Sequence, residues 1–290
     1  MGNLVRAMTS DGSARILALD STDIVKRAAE IHGDTLAVNL IMGRVLTAAS
    51  LMGSLLGDEK DLLTVTFKGD GEVGTVLASS DYMGNVRGYI VNPFATVSKN
   101  NDGKIDISSA IGEGILQVLR DVGEGEPYSG ISVLKNGDIS SDIASYYAES
   151  EQIPTVCVFS VAPDSSGERI ISGGIIIQLL PFADEALIDV LEKNLQNVRN
   201  ISEILESGTA EDIISEYLKG VEYDIFDKME ASYKCYCSKE KTDRALISLG
   251  KEELTSLIND DVPTEITCRF CDMKYNYSKE DLKELYEQAK

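Results

Sequence analysis

An α+β fold is expected, with an N-terminal mixed α/β sheet domain at 1–182, a helical linker at 183–230 and a small C-terminal module at 231–290. Three observations predict it. From Leu62 onward β-branched residues alternate with polar ones between Gly, Asp and Asn turns, after an earlier helical stretch. Residues 183–230 carry their apolar side chains along one helical face. The last sixty residues hold four of the five cysteines, in two tight pairs.

Element by element, "LVRAMTSDGSARILALDST" reads as two strands turning at Asp11-Gly12. A short helix follows. A long, mostly buried one then starts near Asp34, with Leu36, Leu40, Ile41, Val45, Leu46, Leu51 and Leu55 at mostly helical spacing. Strands begin again at Leu62, and Ile111–Leu119 is a shorter helical candidate. "RIISGGIIIQLLP" is a continuous apolar run, as expected of a strand buried on both faces, and Pro181 closes it.

In the linker, Leu187, Leu191, Leu195, Val198, Ile201 and Leu205 share a helical face up to a break at Ser207-Gly208. Thr209 and Asp212 then form a capping box for a second helix through Lys219. Two such helices cannot bury their apolar faces alone, so a layer over the first domain's sheet is expected.

Composition narrows the function. With 48 Asp+Glu against 27 Lys+Arg, the net charge is −21. A field of that sign repels phosphate backbones and anionic lipid, so neither nucleic acid nor a membrane is expected as a partner. The N-terminal segment has no apolar core of a signal peptide, and no run reaches the roughly 18 apolar residues of a membrane helix. A cytoplasmic protein is expected, and there paired cysteines more often bind metal or act in redox chemistry than form structural disulfides.

The pairs are C-x-C (Cys235, Cys237) and C-x-x-C (Cys268, Cys271). In an extended chain residues i and i+2 point to one side, and a tight knuckle does the same for C-x-x-C. Together they offer four thiolates in a tetrahedron, which suits zinc with Zn–S near about 2.3 Å. Such a centre is closed and has no catalytic position. Lys234, Lys239, Lys241, Arg244, Arg269 and Lys274 lie close by in sequence and are expected to offset its negative charge. A purely structural knob is one reading. The C-x-C spacing offers another: on a strand its Cα atoms stand about 6.6 Å apart, near the upper limit for an unstrained disulfide. Oxidation there should distort the backbone and expel the metal, which in so small a module is also its folding energy.

"CYCSKEKTDRALISLGKEEL" followed by "ITCRFCDMKYNYSKEDL" resembles the zinc module of the heat-shock protein 33 family of redox-regulated chaperones. "GRVLTAASL", "TVTFKGDGEVG", "DYMGNVRGY", "YYAESEQIPT" and "GGIIIQLLP" resemble that family's segments in the same order, so the likeness covers nearly the whole chain. It implies a non-enzymatic, ATP-independent holdase. Cys235, Cys237, Cys268 and Cys271 would ligate one Zn²⁺ when reduced, and pair as Cys235–Cys237 and Cys268–Cys271 when oxidised. Zinc release would unfold module and linker and uncover apolar surface for unfolding client proteins. The likeness also implies a homodimer in the activated form. Leu187, Leu191, Leu195, Ile213 and Ile214, with the sheet they cover, are the expected client surface.

Other signals are weaker. "GDGEVG" at Gly69–Gly74 fits the dinucleotide fingerprint, but a strand pattern follows it where a helix is needed, so a hairpin turn is expected. Cys157 sits in the apolar "TVCVFSV" and reads as a core thiol. The only histidine, His32, reads as a helix-end residue. Two rival functions are a zinc-ribbon interaction module and a thiol–disulfide oxidoreductase built on C-x-x-C, which would leave the C-x-C pair unexplained.

Overall fold

A computed structural model of the 290-residue chain describes all residues except 101, 102, 104, 124, 125, 136, 182, 184, 261 and 290. Contacts divide it into two compact units, Met1–Lys234 and Cys235–Lys290.

The first unit opens with β1 (Gly2–Thr9) and β2 (Ala14–Asp20), antiparallel around the expected turn, where Gly12 takes φ +77°. A left-handed residue there favours glycine. Helix α1 (Thr22–His32) follows, and His32 does end it. A π-helical segment (Ala37–Met42) then runs directly into α2 (Gly43–Gly53). Every residue of α2 except Arg44 is buried, as befits a helix covered on all sides.

The covers are two five-stranded antiparallel sheets. One has the order β5 (Val86–Ile90), β4 (Thr75–Asp81), β3 (Leu62–Gly69), β6 (Gly114–Asp121), β7 (Tyr128–Val133). The other runs β10 (Tyr223–Ala231), β1, β2, β9 (Ile170–Leu179), β8 (Thr155–Pro163). Helix α2 packs on β3 and β4 of the first and on β8 and β9 of the second. "GDGEVG" is the β3–β4 hairpin turn, with no helix after it.

Strand β9 is buried on both faces, as expected. Ile176 joins the core around α2, while Ile171, Ile175 and Ile177 face a second core. That second core is roofed by α5 (Glu185–Asn197), α6 (Ile201–Leu205) and α7 (Ala210–Tyr217). Leu187, Leu191, Ile213 and Ile214 are buried in it and Leu195 is partly buried, so the linker helices do form a layer on the sheet. The Thr209–Asp212 capping box is present.

Three expectations about elements need correction. Ile111–Leu119 is not a helix: α3 (Ile107–Ile111) stops at Gly112, φ +78°, and β6 begins at Gly114. Ile115, Leu116 and Leu119 fit a helical period, but β6 pairs residue for residue with β3, burying Leu116 and Val118 on one face. The linker's first helix breaks at 198–200, not at Ser207-Gly208, because Asn200 caps α6 by accepting from Ser202 N at 3.2 Å and from the hydroxyl of Ser160 on β8. Residues 223–231 are the edge strand β10, paired with β1. Helix α4 (Ile139–Glu149), capped by Asp138, packs on β7 and β8 and completes the unit.

The second unit holds α8 (Lys239–Leu249), α9 (Lys251–Asn259), the hairpin β11 (Thr264–Thr267) and β12 (Lys274–Tyr277), and α10 (Lys279–Gln288). Its fully buried apolar set is only Leu246, Leu254, Tyr277, Leu282, Leu285 and Ala289 among the described residues. So small a core gives little folding energy by itself.

Candidate metal centre

Two local structures present the thiols. Cys235 and Cys237 lie in a short non-helical stretch just before Ser238, whose hydroxyl caps α8 by accepting from Lys241 N. Cys268 and Cys271 form the knuckle of the β11–β12 hairpin, whose register runs from Thr264↔Tyr277 to Thr267↔Lys274. Within the knuckle, Cys268 N donates to Met273 O at 2.9 Å, and Asp272 N donates to Cys268 O at 2.9 Å. Asp272 takes φ +57°, a left-handed position that Asp tolerates better than most residues.

All four sulfurs lie within 4.8 Å of one another. Cys235 Sγ is 3.7 Å from Cys268 Sγ, and Cys237 Sγ is 3.4 Å from Cys271 Sγ. A tetrahedron with metal–sulfur bonds of about 2.3 Å has edges of about 3.8 Å, so this donor set fits a four-thiolate ion such as zinc. The sequence-predicted residues are brought together with no nitrogen or oxygen ligand among them.

Sequence reasoning missed one partner. Tyr275 Oη donates to Cys237 Sγ at 3.1 Å. Burial opposes ionisation of Cys237, but the hydrogen bond from Tyr275 and those from the neighbouring thiols outweigh it and bring this thiol below its ordinary value. Burial pushes the Cys235 and Cys271 thiols up. Tyr275 is itself held protonated, first by its bond to Cys237. Its sequence signal is slight: an aromatic residue just beyond a knuckle.

Two of the expected neutralising cations have other partners. Lys274 pairs with Glu265 at 2.8 Å, and Lys239 lies 3.6 Å from Asp281 and over the Tyr277 ring. Outside the cluster, Cys157 is buried on β8 and its thiol is pushed up by desolvation, so it is an inert core residue as expected. His32 Nε2 lies 3.1 Å from Tyr233 Oη, inside the first unit.

The family model described as Hsp33 protein matches residues 2–278. The chain belongs to the Hsp33 family. Two curated relatives, each named 33 kDa chaperonin, agree with that assignment. One, from Ruminiclostridium cellulolyticum, is 38% identical over 98% of both chains. Another, from Clostridioides difficile, is 38% identical, again over 98% of both. Among solved structures, the crystal structure of a 33 kDa chaperonin (heat shock protein 33 homolog) from Thermotoga maritima superposes with a TM-score of 0.88 at 31% identity, covering 99% of this chain and 98% of that one. The Hsp33 fold thus accounts for both units, and these relatives are named as chaperonins and not as enzymes. No helix among the described residues is long and apolar enough to cross a membrane.

Proposed function

We propose that this chain is a cytoplasmic, ATP-independent holdase, switched on by oxidation of a four-cysteine zinc centre. The observation that carries the reading is the cluster itself, four sulfurs from two motifs converging within 4.8 Å in a unit with a small core. Cys235, Cys237, Cys268 and Cys271 are the proposed ligands. A bound zinc ion would supply charge neutralisation and a closed anchor on which the module's folding depends.

The chain's own thiolates carry the chemistry. One attacks a peroxide oxygen and becomes a sulfenic acid, releasing hydroxide. A neighbouring thiolate then attacks that sulfur, forming a disulfide and releasing a second hydroxide. Each disulfide consumes one peroxide and two electrons from sulfur, so two peroxides convert four thiolates into Cys235–Cys237 and Cys268–Cys271. The ligand set is then gone, and the module loses its main source of folding energy.

The domain roles follow. Residues 1–182 would bind clients and dimerise, 183–230 would be the conditional cover, and 231–290 the switch. Leu187, Leu191, Ile213 and Ile214 support this reading, because they hide apolar surface that unfolding of the linker would release. The oxidoreductase alternative is disfavoured by the site of C-x-x-C on the knuckle of a hairpin and not at the start of a helix.

The test follows zinc release and suppression of a client's aggregation in one peroxide titration of the zinc-loaded, reduced chain. Both should rise together and reverse with reductant. Zinc release without any effect on aggregation would sink the chaperone reading and leave a structural centre.

A further inference from the structure

Three arginines gather where α2 ends. Arg6 on β1 hydrogen-bonds the Ser54 carbonyl and pairs with Asp227 at 3.5 Å. Arg120 on β6 pairs with Glu151 at 3.2 Å, and Glu151 also accepts from Tyr146 Oη at 2.6 Å. Arg15 on β2 donates through Nε to Gln178 at 2.7 Å, and no carboxylate among the described residues pairs with it. Arg15 is nevertheless half-buried, and its guanidinium is disfavoured by desolvation and by Arg120 and Arg6. The Nε of Arg120 is buried with no hydrogen-bond partner.

Arg15 and Arg120 line one cavity of about 60 Å³, together with Glu151, Tyr147 and the apolar side chains of Met52 and Leu56. Two guanidinium groups against one carboxylate leave a net charge of about +1 around it, in a protein whose total is −21. Tyr147 cannot supply the balance, because burial raises its phenol far above neutral pH and keeps it uncharged. An uncompensated charge in a partly dry site calls for a counter-ion.

We propose that this cavity binds one small monovalent anion, a halide or a short carboxylate, between Arg15 and Arg120. Its size admits an ion a little larger than water, whose share of liquid volume is about 30 Å³, and is too small to enclose a nucleotide or a sugar acid. The guanidinium fork matches a carboxylate, and its weak hydration also suits chloride against apolar walls. The anion would tie β2 of one sheet to β6 of the other at the end of α2.

The experiment is thermal unfolding of the reduced, metal-loaded full chain in sodium chloride, sodium acetate and sodium gluconate at matched ionic strength. The midpoint should rise by roughly 3 °C per tenfold increase in the bound anion once the site is occupied. Gluconate should give none of this, and the stronger of chloride and acetate identifies the occupant. Arg15→Gln should abolish the difference between salts. Chloride-35 line broadening by the unmutated protein, relieved by acetate, gives a readout that does not depend on the variant folding. Equal midpoints in the three salts, an unchanged salt difference in Arg15→Gln, or no broadening where chloride is the stronger salt would each overturn the proposal.

Discussion

Tyr275 reaches across from β12 and donates its phenolic hydrogen to Cys237 Sγ at 3.1 Å, so one of the four thiols has a dedicated hydrogen-bond donor. Groups that hydrogen-bond a metal ligand orient it and tune its electron density, and their loss commonly weakens metal binding by about 10- to 100-fold. Tyr275→Phe should therefore lower zinc affinity by about tenfold in competition with a chelator. Far-UV circular dichroism of the zinc-loaded variant should stay unchanged, because the ring remains. Unchanged affinity would show that the bond contributes nothing to holding the metal.

The β1–β2 turn gives a pH prediction. Hydrogen bonds from the Thr9 and Ser13 side chains, then from the Ser13 backbone, hold the Asp11 carboxyl down at about 2, from an ordinary 3.8. A carboxyl depressed in the folded state adds stability above its unfolded pKa, and that contribution is lost as pH falls through the folded one. Asp11→Ala should therefore be less stable than the parent above pH 4. The gap should close between about pH 4 and pH 2, read as the difference in unfolding midpoint across that range. A gap independent of pH would show that the turn, and not the charge, sets the effect.

Cys157 separates core chemistry from switch chemistry. It is 8% exposed, and desolvation disfavours its thiolate. A thiol reagent should modify four cysteines once the metal is chelated, and the fifth only after the first unit unfolds. Cys157→Ala should cost about 1–2 kcal/mol of stability, by leaving a small cavity, while peroxide-driven zinc release stays as in the parent. Rapid labelling of Cys157 in the folded chain would contradict its burial.

The site was legible in the sequence where chemistry fixes the spacing. C-x-C and C-x-x-C each aim two sulfurs at one point whatever surrounds them, and all four converge. What could not be read depends on partners distant in the chain. Ile111, Ile115 and Leu119 satisfy a helical period, and only the pairing of β6 with β3 decides for a strand. Strand β10 escaped notice because Asp227 stands on its half-buried face and Phe226 on its exposed face, which blurs the alternation in the sequence. Asn200 ends α5 because Ser160, forty residues earlier in the chain, supplies a hydroxyl to its side chain. Tyr275 reaches Cys237 from a hairpin whose register sequence alone does not fix.

The helical layer over β1, β2 and β9 gives the prediction closest to the proposed switch. Ile213 is fully buried in the core between α7 and the sheet. Ile213→Ala should cost about 2–4 kcal/mol at that interface. If the layer is the conditional cover, this loss should favour its opening while the zinc centre is intact. The reduced, zinc-loaded variant should then bind more of a hydrophobic dye than the parent and suppress client aggregation without oxidant. Ile188→Ala is the matched control, since Ile188 lies on the same layer but is 36% exposed. Should Ile213→Ala lower the unfolding midpoint yet leave dye binding and aggregation at parental levels, the layer would be structural. The client surface would then have to lie elsewhere.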